Sequence, residues 1–155
     1  MEKTNVIRLL DKQKIEHEVY TYDPNETDGK KVALLVGKPL DRVFKTLVTV
    51  GSDKEHYVFV VPVSETLDLK KASRAVGVKS IEMIKQKELL ALTGYIHGGC
   101  SPIGMKKLFK TIIDETALLD DIIYVSAGRV GMQIKIKVED LKELVSAEFF
   151  DITKV

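Results

Sequence analysis

The pattern of apolar and polar positions divides the chain into short strands and short helices. The longest apolar run extends from Val43 to Val50, and both of its alternating sets of side chains are largely apolar. We therefore expect a central strand that is covered on both faces. A polar turn from Gly51 to Glu55 and a second apolar run from Tyr57 to Val61 follow, which is the pattern of a β-hairpin.

Further strands and helices are predicted from the same periodicities. Strands are expected at 17–22, 78–83, 108–113, 122–126 and 132–138, and helices at 4–13, 28–36, 68–76, 86–92 and 139–145. Thr4 and Asp68 are suited to cap their helices, and Gly77 is suited to end the third one. We expect Phe149 and Phe150 to close the core. Clustered strands with flanking helices predict an α+β fold with a mixed, barrel-like β-sheet.

Length and composition place this chain among ordinary globular proteins. A chain of 155 residues is typical of one domain, so we expect a single unit over residues 1–155. No apolar run approaches the ~20 residues that span a bilayer, and we expect no membrane association. One cysteine fits a reducing compartment, which favours the cytoplasm.

The balance of charges limits the kind of nucleic-acid contact that the chain can make. Lysine and arginine number 24 against 23 acidic residues, for a net charge of +1. A broad, non-specific nucleic-acid surface is usually strongly basic, so such a role is disfavoured. A small basic patch that meets one RNA end remains compatible with the sequence. The candidate clusters are Lys30 and Lys31, then Lys70, Lys71 and Arg74, and then Lys106, Lys107 and Lys110.

A glycine-rich stretch from Thr93 to Lys107 has neither helical period nor strand alternation. It contains four of the ten glycines and Pro102, so we expect an ordered loop. Glycine allows close backbone approach, and such a loop can direct several N–H groups at a phosphate or an oxyanion. A tight structural loop between two elements explains the same composition equally well.

Lys45 interrupts the apolar face that Val43 and Leu47 share. A lysine in this position either belongs to an exposed edge, where it discourages aggregation, or borders a dry pocket. In the second case its ammonium group can stabilise a developing oxyanion. The strand pattern alone leaves both interpretations open.

Cysteine and histidine residues offer a second kind of chemistry. Cys100 lies three residues after His97, but nearby spacing does not establish a nucleophile–base pair. His17, His56 and His97 show no metal-ligand spacing, and neither a phosphate-binding loop motif nor a dinucleotide-binding fingerprint is present. We therefore expect no metal and no cofactor.

Four motifs, in order along the chain, resemble those of one known family. They are Arg42 to Leu47, Leu67 to Lys71, the pattern Gly98-x-x-x-Pro102-x-Gly104, and Tyr124 to Arg129. Together they resemble the YbaK/EbsC family of free-standing trans-editing domains, which is similar to the editing insertion of bacterial prolyl-tRNA synthetase. The resemblance extends from Tyr20 to about Phe150.

The resemblance implies a fold, an activity and a set of site residues. It implies that Lys45 is the key catalytic residue. It also implies that the chain hydrolyses mischarged aminoacyl-tRNA, most typically Cys-tRNA(Pro), and that this reaction requires no cofactor. Gln133 departs from the pattern, because some members carry an acidic residue there. The substrate-binding residues that it implies are Tyr20, Gly98, Gly99, Ser101, Pro102, Gly104, Ser126 and Gly128.

In that interpretation, the partner is the acceptor end of an aminoacyl-tRNA, with prolyl-tRNA synthetase as a candidate second partner. Water or the thiol of a cysteinyl substrate attacks the ester, and Cys100 is a bystander. Two alternatives stay open at this point. One is a deacylase for another amino acid, such as alanine on tRNA(Pro). The other is a non-catalytic module that binds an RNA end or a nucleotide.

Overall fold

The protein is described by a computed structural model that covers residues 3–25, 28–35 and 37–154. The helices are α1 (Asn5–Lys12), α2 (Gly29–Leu35), α3 (Leu69–Val76), α4 (Leu89–Thr93) and α5 (Val138–Val145). The strands are β1 (His17–Thr21), β2 (Phe44–Gly51), β3 (His56–Pro62), β4 (Ile81–Met83), β5 (Lys110–Asp114), β6 (Ile122–Ser126), β7 (Met132–Lys137) and β8 (Glu148–Phe150). Two 3₁₀ turns span Gln86–Glu88 and Glu115–Leu119.

The strands form two sheets. A three-stranded antiparallel sheet has the order β1-β7-β6, and a five-stranded sheet has the order β4-β2-β3-β5-β8. In the larger sheet β2 runs antiparallel to both of its neighbours, whereas β3, β5 and β8 run parallel. The prediction of an α+β fold with a mixed sheet is therefore confirmed.

The sheets meet without closing into a barrel. Val43 and Tyr124 form an isolated parallel bridge between them, and the backbone N–H of Tyr124 donates to the carbonyl of Arg42 at 2.9 Å. Apart from this bridge, no ladder of hydrogen bonds joins the described strands of one sheet to those of the other. This junction positions the candidate site.

Alternating side chains place a hydrophobic core on each face of the larger sheet. The main core lies between the two sheets, where α1 and α5 complete it. A second cluster, which includes Phe59, Val61 and Ile112, lies on the opposite face of the larger sheet, with Ala72 of α3 packed into it. Coverage on both faces was expected for β2, but its segment from Lys45 to Leu47 is only half-buried, whereas β3 is buried from Tyr57 to Pro62.

Local capping follows the sequence closely. The Thr4 hydroxyl accepts a hydrogen bond from the N–H of Ile7 and caps α1. The Asp68 carboxylate accepts from the N–H groups of Lys71 and Lys70, and these bonds lower its pKa. Gly77, with φ of 77°, ends α3 in the left-handed region, where glycine carries no steric penalty.

Some details differ from the prediction. The strand expected to begin at Val78 begins at Ile81, because the N–H of Val78 still bonds to the carbonyl of Ser73 in the helix cap. The helix expected from Gln86 opens as a 3₁₀ turn and becomes α-helical only at α4. Phe150 does not close the core: it lies on an edge strand and is 39% exposed, whereas Phe149 packs against the main core.

The helix predicted over 28–36 corresponds to α2, and Val36 lies outside the described residues. Across the described ranges, none of the helices combines the length and the apolarity needed to cross a membrane.

Candidate active site

The site lies at the edge of β2 where the two sheets separate. On this side β2 pairs with β4 only from Thr49 to Gly51, and Val43 bridges to Tyr124. Between these points, among the described residues, no strand pairs with this edge of β2. An unpaired stretch of sheet edge presents backbone N–H and C=O groups that a ligand can reach.

A cavity of about 160 Å³ occupies this gap. Its lining combines the open edge of β2, the end of β6, β7, α4 and the glycine loop. The lining residues are Val43, Phe44, Lys45, Thr46, Leu47, Val63, Leu89, His97, Gly98, Cys100, Ser126 and Gln133.

Lys45 is held in this cavity by the most regular part of the fold. It is half-buried in β2, opposite Val61 of β3, and among the described lining residues it carries the one formal charge. Arg42, just before the strand, fixes the start of β2. Its guanidinium donates to the carbonyls of Thr116, Ala117 and Ile122, each at 2.9 Å. The lysine backbone is therefore anchored to both sheets.

The glycine loop supplies the opposite wall. Gly98 lines the cavity with a φ of 86°, a conformation that glycine adopts without penalty. Gly99 is required for space: a Cβ atom there would lie 2.7 Å from the N atom of Val130 and 2.9 Å from the carbonyl carbon of Arg129. The loop is thus in direct backbone contact with the turn between β6 and β7.

A polar row crosses the three-stranded sheet beside the cavity. Ser126 is the register partner of Gln133, and Gln133 is the register partner of Tyr20. Ser126 and Gln133 line the cavity, and the Ser126 hydroxyl accepts a hydrogen bond of 3.1 Å from the N–H of Gly128.

Tyr20 lies beside the cavity lining, at the end of this polar row. Its hydroxyl donates to Glu18 at 2.7 Å, and this bond raises the pKa of Tyr20 to about 12. Its ring packs edge-on against Tyr124, with centroids 5.8 Å apart, and the ammonium of Lys38 lies 4.6 Å from the Tyr20 centroid.

The remaining residues implied by the resemblance lie behind the loop and not in the cavity lining. Ser101 is fully buried, and its hydroxyl accepts from the N–H of Ile103 at 3.2 Å. Pro102 and Gly104 line a separate cavity of about 220 Å³ that extends to α5. Gly128, with φ of 99°, packs closely on Val6 and Tyr95. Their positions indicate that they shape the loop.

Cys100 and His97 both line the cavity. Burial raises the pKa of the Cys100 thiol to about 12, and a hydrogen bond with Thr93 offsets only part of this effect. The thiolate is the nucleophilic form, so the environment of Cys100 opposes its activation. The bystander role expected from the sequence remains a prediction, which the raised pKa favours.

Two cavity residues carry polar atoms that the sequence did not single out as ligands. The hydroxyl oxygen of Thr46 and Oε1 of Gln133 are buried and have no hydrogen-bond partner among the described residues. Buried polar groups are nearly always paired. The sequence pointed to Gln133 only as a departure from the family pattern. Thr46 gave no signal beyond its position next to Lys45.

The cavity continues into a groove along β2. A second cavity, of about 220 Å³, shares Thr46, Leu47, Leu89 and His97 with the first. Its outer part includes Met83 of β4, which is 46% exposed. A ligand group bound at Lys45 can therefore continue along an apolar surface.

Lys45 and Gly98 of the glycine loop line the same small cavity, and a cation beside backbone N–H groups is an arrangement suited to binding an oxyanion. The family model that describes the aminoacyl-tRNA editing domain matches residues 23–144, and the chain belongs to this family. Because editing is hydrolysis of the aminoacyl ester, the chain is an enzyme of the aminoacyl-tRNA deacylase class.

Comparisons with individual proteins agree with this assignment. The chain is 44% identical to EbsC of Enterococcus faecalis, provisionally named a Cys-tRNA(Pro)/Cys-tRNA(Cys) deacylase, and the match covers 98% of this chain and 94% of that protein. It is 30% identical to a proline–tRNA ligase of Burkholderia orbicola over 72% of this chain and 20% of the ligase. A crystal structure provisionally titled as a trans-editing enzyme for prolyl-tRNA synthetase is similar, with a TM-score of 0.81, 27% identity and coverage of 90% and 87% of the two chains.

Proposed function

We propose that this protein hydrolyses mischarged Cys-tRNA(Pro) in trans, with Cys-tRNA(Cys) as a further substrate. The name of EbsC and its 44% identity over nearly the full length support this substrate class. The similarity to one fifth of a proline–tRNA ligase supports a functional relation with prolyl-tRNA synthetase. We propose that the two act on the same tRNA in the cytoplasm.

The observation that carries the proposal is the position of Lys45 opposite the glycine loop in the cavity. The ester carbonyl would lie between the Lys45 ammonium and the backbone of Gly98 and Gly99. Negative charge grows on the carbonyl oxygen as a nucleophile attacks, and a fixed cation at that point lowers the barrier. The terminal adenosine would occupy the apolar groove along β2.

The nucleophile in this mechanism comes from outside the protein. Attack by water forms a bond to the carbonyl carbon, breaks the bond to the ribose oxygen, and yields free cysteine. Attack by the substrate thiol forms a carbon–sulfur bond and transfers the thiol proton to the departing ribose oxygen. The resulting cyclic thioester is then opened by water. The raised pKa of Cys100 favours both routes over a protein thiolate.

The role of Lys45 is tested by Lys45→Ala in a panel of aminoacyl-tRNAs. We expect deacylation of Cys-tRNA(Pro) to fall by about 10²–10³, as for the loss of an oxyanion donor. Lys45→Arg should not restore the rate, because a planar guanidinium does not replace a compact ammonium. Rates of single-turnover deacylation and thermal melting are measured for each variant.

Two matched variants complete the experiment. Lys3→Ala removes a lysine that pairs with Asp11 at 2.7 Å, outside the cavity lining and outside the candidate basic clusters, and its rate should equal that of the wild type. His97→Gln removes the other basic side chain of the lining. Near-wild-type turnover by a folded Lys45→Ala variant, or an equal loss in His97→Gln, would contradict electrostatic catalysis by Lys45. Faster turnover of Ala-tRNA(Pro) than of Cys-tRNA(Pro) would identify alanine, and not cysteine, as the amino acid that the enzyme removes.

A further inference from the structure

Gln133 is the most unusual polar residue of the cavity. It lies in the middle strand of the three-stranded sheet, between Tyr20 and Ser126 in register. The residue is only 7% exposed, it lines the cavity, and its Oε1 has no hydrogen-bond partner among the described residues. A buried amide oxygen without a partner destabilises the free protein. Such an exception is explained when a ligand supplies the partner.

The charges and donors around Gln133 indicate which ligand group it binds. The described lining contains the ammonium of Lys45 and no carboxylate. The Ser126 hydroxyl already accepts a bond from Gly128. The buried side-chain acceptors of the lining without a partner among the described residues are Oε1 of Gln133 and the hydroxyl oxygen of Thr46. A ligand group that offers several N–H donors fits these two atoms.

An aminoacyl ester carries such a group on the carbon next to its carbonyl. If the carbonyl lies against Lys45, the α-amino group lies within the same small cavity. Like charge on Lys45 disfavours an ammonium there unless acceptors solvate it. The wall of the three-stranded sheet provides a neutral acceptor for this purpose.

We propose that Gln133 is a specificity-determining residue that binds the α-amino group of the aminoacyl substrate, with its side-chain carbonyl as acceptor and Thr46 as the second acceptor. This assignment rests on the proposed function, since it assumes an aminoacyl group in the cavity.

The experiment separates recognition of the amine from catalysis. Stable analogues in which an amide replaces the ester of 3′-cysteinyl-adenosine are prepared with a free amine and with an N-acetylated amine. Their binding to the wild type and to Gln133→Met is measured by titration calorimetry. The four affinities form a double-mutant cycle in which one of the mutations is on the ligand.

For the wild type, we expect N-acetylation to weaken binding by roughly 10- to 100-fold, the range for a hydrogen bond that involves a charged group. For Gln133→Met this ratio should fall to about threefold or less. Cys100→Ala, which alters the same cavity without removing an acceptor of this kind, should keep the wild-type ratio.

Melting and a second variant distinguish this role from a structural one. Gln133→Met should melt at the wild-type temperature or above, because a buried unpaired dipole is replaced by an apolar group of similar size. Gln133→Glu should keep the discrimination against the acetylated analogue, because its carboxylate also accepts hydrogen bonds from a free amine. This variant also decides the question if Gln133→Met does not fold.

The assignment would be overturned if Gln133→Met kept the wild-type ratio of the two affinities, or if a folded Gln133→Glu no longer distinguished the free from the acetylated amine. It would also be overturned if the wild type bound neither analogue. The proposed function is tested separately by wild-type turnover of Cys-tRNA(Pro). Amine discrimination that depends on Gln133 without turnover would refute the reaction and support the binding site. Turnover of Cys-tRNA(Pro) together with an affinity ratio that does not depend on Gln133 would support the reaction and refute the amine-binding site.

Discussion

Substitution of Gly99 by alanine tests whether the backbone contact between the glycine loop and the β6–β7 turn positions the site. A Cβ atom at residue 99 would lie 2.7 Å from the N atom of Val130, whereas ordinary contacts begin at 3.4 Å. The difference is 0.7 Å, and both neighbours are backbone atoms that cannot rotate away. The loop carrying Gly98 must therefore move by about this distance relative to the three-stranded sheet.

The expected effects follow from that displacement. Misplacement of reacting groups by about 1 Å can cost about 10²-fold in rate, so we expect Gly99→Ala to lower the deacylation rate by about 10- to 100-fold. Overpacking of a well-packed contact costs about 1–3 kcal/mol. At about 2–4 °C per kcal/mol for a chain of this size, the melting temperature should fall by about 2–12 °C.

Gly77→Ala is the matched control. Gly77 has a φ of 77° and open space around its missing Cβ, so alanine there is penalised only by the left-handed conformation, by about 1–2 kcal/mol. It lies at the end of α3, outside the cavity lining. Both variants should lose stability, and only Gly99→Ala should lose activity at a temperature where both are folded.

Single-turnover deacylation at 25 °C and thermal melting are the two assays. A Gly99→Ala variant with the wild-type rate and melting temperature would show that the loop does not need this contact. An equal loss of rate in Gly77→Ala would show that general destabilisation, and not loop position, controls the rate.

Two further predictions concern Cys100 and the RNA. Cys100→Ala should retain deacylation within a few-fold. The wild-type thiol should react slowly with iodoacetamide at pH 8, because burial raises its pKa to about 12 and the thiolate appears only near that pH. Rapid alkylation at pH 7, or nearly complete loss of activity in the variant, would contradict this view. Binding of tRNA should depend weakly on salt, with a log–log slope of about −1.4 to −2.8 for about 2–4 neutralised phosphates, and a slope near −10 would refute recognition of a small RNA end.

The sequence predicted those features that depend on neighbours along the chain. The caps at Thr4 and Asp68 and the stop at Gly77 involve bonds within four residues, and the structure places all three as expected. The β2–β3 hairpin has its polar turn in the expected position, with the N–H of Gly51 bonded to the carbonyl of Glu55. In each case residue type and local hydrogen bonding are sufficient.

Features that depend on pairing between strands far apart in the chain could not be predicted from the sequence. The row formed by Tyr20, Gln133 and Ser126 arises because β1 and β6 flank β7 in one register, and no periodicity within any one of these strands encodes that register. The separation of the two sheets after Val43 has the same origin. The unpaired atoms of Gln133 and Thr46 become visible only once the surrounding elements are assembled.

The position of the cavity explains how one site can combine a rigid cation with selective recognition. Where the hydrogen-bonded ladder ends between two sheets, backbone N–H and C=O groups and inward-facing side chains are left without partners. Such unpaired groups lower the stability of the folded state, a penalty that well-paired strands avoid. Lys45 uses the strand side of the gap, where β3 and Arg42 restrict its backbone. Gln133 uses the opposite wall, where register fixes its position. In the proposed site these two groups belong to different sheets, so a substrate must place its carbonyl and its amine at the spacing of the gap to satisfy both. Because all α-aminoacyl esters share that spacing, this geometry selects them as a class, provided that their amine is free.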